Sequence, residues 1–99
     1  VLHGASSVPE HFIKTINEFG GQLTNARGIA PDQLRRAVQM NICKINVDSD
    51  SRLAFTAGVR QYLAQNPENF NPRDYLAAGR KNIYENCLDE IKNIMQSGK

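Results

Sequence analysis

Tryptophan is absent from this 99-residue chain, cysteine and methionine occur twice each, and no apolar run approaches the roughly 20 residues needed to span a membrane. The two cysteines, Cys43 and Cys87, lack metal-ligand spacing, and a secreted disulfide scaffold of this size usually carries more. A reduced, cytoplasmic setting is therefore expected. Charge of one sign is also scarce: the net charge is only +2, which gives no electrostatic mandate for nucleic acid or an anionic membrane surface. No basic-then-apolar leader is expected, and internal repeats, low-complexity tracts and linkers are missing from these 99 residues. Because Val1 starts directly on strand-like residues, the chain is expected to be one segment, 1–99, from the C-terminal part of a longer protein.

What is present is a pattern of strands running into helices. Val1-Leu2-His3 reads as a strand ending at Gly4-Ala5-Ser6-Ser7, and Ser7-Val8-Pro9-Glu10 is a capping box that predicts a helix to about Phe19, stopped by Gly20-Gly21. Pro31-Asp32-Gln33 suits the first turn of a short helix with Leu34, Ala37 and Val38 on its buried side. Ile42 to Val47 is the strongest strand candidate, apolar at Ile42, Ile45 and Val47 and polar at Lys44, Asn46 and Asp48. Asp50 or Ser51 is expected to cap a helix through about Gln65. A last long helix is expected from Asn71-Pro72-Arg73-Asp74, with Leu76, Ile83, Leu88, Ile91 and Met95 along one face. The order implies an α/β fold of two β/α units plus a C-terminal helix. Two strands leave both sheet flanks open, so the rest of a sheet or another copy must cover them.

Polar clusters at strand ends and helix starts are where phosphates, metals and catalytic side chains gather in parallel α/β folds. His3 beside Gly4 is a reasonable divalent-metal ligand or a buried histidine held by a backbone carbonyl; one histidine cannot hold zinc alone. Gly4 to Ser7 precede a helix N-terminus and suit a phosphate, although Ser7 as a simple cap explains the same spacing. Asn46-Val47-Asp48-Ser49-Asp50-Ser51 fails as a calcium loop, because Ser51 and Ala57 stand where a sharp-turn Gly and a bidentate Glu are needed. Asn46 as an amide donor to substrate and Ser49 with nearby amides as a phosphate site fit better, with Asp48 and Asp50 as caps the bland alternative. Arg52, Arg73 and Arg80 are candidate anion clamps, His11 is expected to be exposed, and Lys44 has no acid-base partner for Schiff-base chemistry.

At these clusters the sequence resembles the class II, zinc-dependent fructose-1,6-bisphosphate aldolases. The residues that carry the likeness are Leu2-His3-Gly4-Ala5-Ser6-Ser7, Lys44 to Ala54, and Phe70-Asn71-Pro72-Arg73-Asp74-Tyr75-Leu76. The resemblance implies the last two β/α units of a (β/α)8 TIM barrel plus a C-terminal helix, helix-dominated when taken alone. It implies that His3 is one of the zinc ligands, that Gly4 and Ser6 contribute to a phosphate site, and that Asn46 contacts the dihydroxyacetone phosphate moiety. It likewise places Asp48 and Ser49 in the substrate and phosphate pocket, and Arg52 and Arg73 at the far phosphate with a neighbouring subunit taking part.

The activity so implied is reversible cleavage of fructose 1,6-bisphosphate to dihydroxyacetone phosphate and glyceraldehyde 3-phosphate by a homo-oligomeric parent enzyme of glycolysis. Zinc is the implied catalytic metal, and a monovalent cation is compatible as a second ion in the parent. The base and the other zinc ligands are not among these residues, so the segment alone is expected to be inactive. Two other readings stand beside this one: a tagatose-bisphosphate aldolase segment, and a non-catalytic helical binding or scaffold module.

Overall fold

The computed structural model describes residues 9–24, 29–44, 46 and 48–97, and every regular element among them is helical. In chain order these are α1 (Glu10–Glu18), α2 (Pro31–Gln39), α3 (Ser49–Gln65) and α4 (Pro72–Asp89), the last continuing as a π-helical segment over Glu90–Ile94. The wider π turn is seen directly in the bond from Met95 N–H to the Glu90 carbonyl at 2.9 Å.

Local chemistry accounts for the helix ends. Gly20, at φ +100°, terminates α1, and Gly21 N–H donates to the Ile16 carbonyl at 2.7 Å, the six-to-one bond of a Schellman cap. Asn41, at φ 72°, does the same for α2, where Ile42 N–H reaches the Ala37 carbonyl at 3.2 Å. Pro31 and Pro72 each open a helix, and the Asn71 side chain accepts from Arg73 N–H at 3.1 Å, as an N-cap should. Two expected caps differ. The first helix starts at Glu10 with Pro9 in the cap position, while Ser7 lies outside the described residues. The third starts at Ser49, so the cap position belongs to Asp48 rather than Asp50 or Ser51.

Helices α3 and α4 form an antiparallel hairpin whose register is marked every four residues. Asp50 meets Asn86, the Ala54 carbonyl accepts from Asn82 Nδ2 at 3.0 Å, and Gly58 lies against Ala78. Small residues permit the close approach: a Cβ on Gly79 would sit 2.6 Å from Phe55 Cδ2. Phe12 and Ile16 of α1 pack onto Ala54 and Ala57, with Leu53 and Ile83 alongside, and Leu34 of α2 is buried against Ile94 and Ile29. Burial of these few apolar side chains is the main driving force available to the helices. The resulting body measures 50 × 30 × 17 Å, about two helices thick at its thinnest.

The strand expected over Ile42 to Val47 is not seen: residues 42–44 and 46 adopt no regular structure, and 45 and 47 lie outside the described residues. A strand bonds only to a neighbouring strand, whereas a helix closes its own hydrogen bonds. The expected partner, Val1 to His3, also lies outside the described residues. The apolar face expected of the last helix is mostly uncovered, since Ile83 packs inward but Leu76, Leu88, Ile91 and Met95 are exposed. No helix among the described residues is long and apolar enough to cross a membrane.

Candidate functional site

The sequence-predicted site residues fall into three groups. His3, Gly4 and Ser6 lie outside the described residues. Asn46, half-buried, leads into Asp48, Ser49 and Arg52, which gather at the exposed N-terminal turn of α3. Arg73 sits at the start of α4, at the opposite end of the hairpin, roughly 16 Å from Arg52 along the helix axis at the usual α-helical rise. There it shares a shallow surface groove with Leu76, Ala77 and Arg80.

The turn that opens α3 is built by short-range bonds. Arg52 N–H donates to the Asp48 carbonyl at 3.2 Å, and the Arg52 guanidinium pairs with the Asp48 carboxylate at 2.9 Å, both side chains largely exposed. This pair balances charge at a helix end whose dipole favours an anion. Asp50 would add a second negative charge there, but it is fully buried and turned away from the surface. Its Oδ1 accepts from Ser51 N–H at 2.9 Å, and its Oδ2 accepts from Asn86 Nδ2 at 3.1 Å.

That arrangement belongs to a buried cluster the sequence reading missed. Asn86 Nδ2 also donates to Glu90 Oε1 at 2.7 Å, so one amide bridges two buried carboxyl groups. Burial, followed by a hydrogen bond to Asp50 and its charge, pushes the Glu90 carboxyl up from 4.5 to about 8. This favours the protonated form of Glu90 at neutral pH, the form able to donate to Asp50. Burial, Glu90 and Asp50 also push the Cys87 thiol up. The available sequence signal was the four-residue spacing of Asn82, Asn86 and Glu90, which places polar groups on the face of α4 that meets α3.

Among the described residues, no group of three or more His, Cys, Asp or Glu side chains is placed to hold a metal ion. His11, on α1, is exposed and lines an open groove with Glu85 and Asp89, and Lys44 is exposed outside any helix. Of the sequence-predicted site residues, the structure brings Asp48, Ser49 and Arg52 together at the start of α3.

Comparison with known proteins bears on residues 1–99 as a whole, which match the family model described as fructose-bisphosphate aldolase class-II. The fructose-bisphosphate aldolase of Giardia intestinalis is 43% identical over 98 residues, covering 99% of this chain and 30% of that protein. That of Thermus caldophilus is 46% identical over 85 residues, covering 86% of this chain and 28% of the relative. That of Nostoc sp. is 45% identical over 98 residues, covering 99% and 27% respectively. The chain thus spans less than a third of the length of the curated relatives it matches. With its full length matched, the chain belongs to the class II fructose-bisphosphate aldolase family.

Proposed function

We propose that these residues are the last two β/α units and the C-terminal helix of a (β/α)8 barrel that reversibly cleaves fructose 1,6-bisphosphate to dihydroxyacetone phosphate and glyceraldehyde 3-phosphate. The observation that carries this reading is the gathering of Asp48, Ser49 and Arg52 on the exposed first turn of α3, just after half-buried Asn46. A helix N-terminus with a serine hydroxyl and a guanidinium matches a phosphate group. The matched relatives carry the fructose-bisphosphate name, which favours this reading over a tagatose-bisphosphate aldolase or a scaffold module.

In this assignment the Asn46 amide binds a substrate oxygen, Ser49 and the first amides of α3 hold a phosphate, and Asp48 orients Arg52. Asp50 is turned into the interior, so its carboxyl does not face the surface that this phosphate would meet. Arg73, at the far end of the hairpin, serves the site of a second copy in a homo-oligomer. Gly4 and Ser6 complete the phosphate site from the first β/α unit. Zinc, the metal of this class, would take His3, but the described residues do not make up a metal site. The remaining ligands and the base must come from the rest of the barrel.

The test is a chimera in which this chain replaces the matching segment of the Giardia intestinalis aldolase. Zinc-dependent cleavage of fructose bisphosphate by the chimera is expected, with a KM at least tenfold higher once Arg52 is changed to Ala. The 99 residues alone should show no cleavage. An unchanged KM in Arg52→Ala would remove Arg52 from the site, and cleavage by the isolated chain would overturn the division of the machinery.

A further inference from the structure

We propose that Asp50, Asn86 and Glu90 form a proton-carrying latch that holds the first turn of α3 in place, and that loss of the shared proton loosens that turn. The consequence for Asp48, Ser49 and Arg52 as a phosphate site rests on the function proposed above; the latch itself does not.

The geometry requires a proton. Two carboxyl groups from residues 40 positions apart face each other with no more than 8% exposure, and a single amide nitrogen supplies one N–H to each, at 3.1 Å to Asp50 and 2.7 Å to Glu90. Two ionised carboxylates at such separation, out of water, cannot coexist without a cation. Among the described residues, no cationic side chain is paired with either carboxyl group. From α3 the facing charge is Asp50, while Arg52 is committed to Asp48. On α4, Asp89 adds a further negative charge and Cys87 a thiol. From α1, His11 faces the groove beside Asn86 and Asp89. On α2, which packs against the π-helical segment, Arg35 pairs with Asp32 and Arg36 is exposed; Lys92 of that segment is exposed as well.

The proton on Glu90 is therefore the link that makes the contact attractive: Glu90 donates to Asp50, and Asp50 in turn accepts from Ser51 N–H inside the turn of α3. Removing the proton replaces that donor with a second negative charge. The Glu90 carboxyl, raised to about 8, places the change within an accessible range. Glu90 and Asn86 are positioning residues in this account, acting on the α3 turn through Asp50.

Amide hydrogen exchange on the intact 99-residue chain tests the idea. Protection of the Ser51 to Ala54 amides, corrected for the intrinsic pH dependence of exchange, should fall at least tenfold between pH 6.5 and pH 9. Glu90→Gln keeps a neutral donor opposite Asp50 and should hold protection level across that range. Asp50→Asn, which removes the pair from the other side, should also give a level profile. Constant protection in the unmodified chain, or an equal fall in Glu90→Gln, overturns the proposal. Because the readout needs neither substrate nor metal, its failure leaves the aldolase reading standing, and its success does not depend on that reading.

Discussion

Gly58 of α3 lies so close to Ala78 of α4 that a Cβ on the glycine would sit 2.6 Å from the Ala78 carbonyl oxygen. The neighbour is backbone, so it cannot turn aside as the end of a flexible side chain would. In an open helix Gly→Ala stabilises by about 1 kcal/mol. Here the sign reverses: Gly58→Ala should force the helices apart and strain the adjacent Asn82 to Ala54 hydrogen bond. A net loss of about 1–3 kcal/mol is expected from overpacking. Urea unfolding followed by circular dichroism measures it, and a variant as stable as the parent would mean that the hairpin is not closed at this point.

The pH dependence of stability follows from Glu90. Its carboxyl is held at about 8 in the folded chain against an ordinary value of 4.5, because burial and Asp50 disfavour the charged form. Below 4.5 it is protonated in both states and its contribution is complete. As pH rises from 4.5 to 8 the unfolded chain ionises while the folded chain does not, so stability falls, by at most about 1.4 kcal/mol per pH unit. Above 8 the loss is complete. The urea midpoint should therefore be higher at pH 6 than at pH 9 with little change in slope, and Glu90→Gln should flatten the difference. A midpoint that rises with pH over this window would contradict the assigned proton.

These contacts also explain which parts of the fold were legible in the sequence. Gly20, Pro31, Asn71 and Pro72 mark helix ends through bonds within a turn, and each acts where the sequence places it. The Ile42 to Val47 segment has strand-like alternation, yet alternation provides no hydrogen-bond partner, and residues 42–44 and 46 form no strand. Asp50 was ambiguous for a related reason. An acidic residue in a first helical turn ordinarily favours the surface and the dipole, but its partner Asn86 is 36 residues away. Of the candidate site, the cluster of Asp48, Ser49 and Arg52 was legible because it is local, whereas the separation of Arg73 from it follows from the hairpin register.

Cys87 offers a chemical report on the same cluster. Burial, then Glu90, then Asp50 push its thiol up, and the thiolate is the form that reacts with alkylating reagents. The Glu90 contribution is electrostatic and is largest once that carboxyl has ionised, above pH 8. In a Cys43→Ser background, where Cys87 is the remaining thiol, Glu90→Gln should speed alkylation roughly twofold to fivefold at pH 9 and change it little at pH 7. An increase of the same size at both pH values would point to better access rather than to the removed charge. Mass-spectrometric rates at the two pH values distinguish these outcomes, because opening the packing exposes the sulfur at either pH, whereas a carboxylate can depress the thiolate only after losing its own proton.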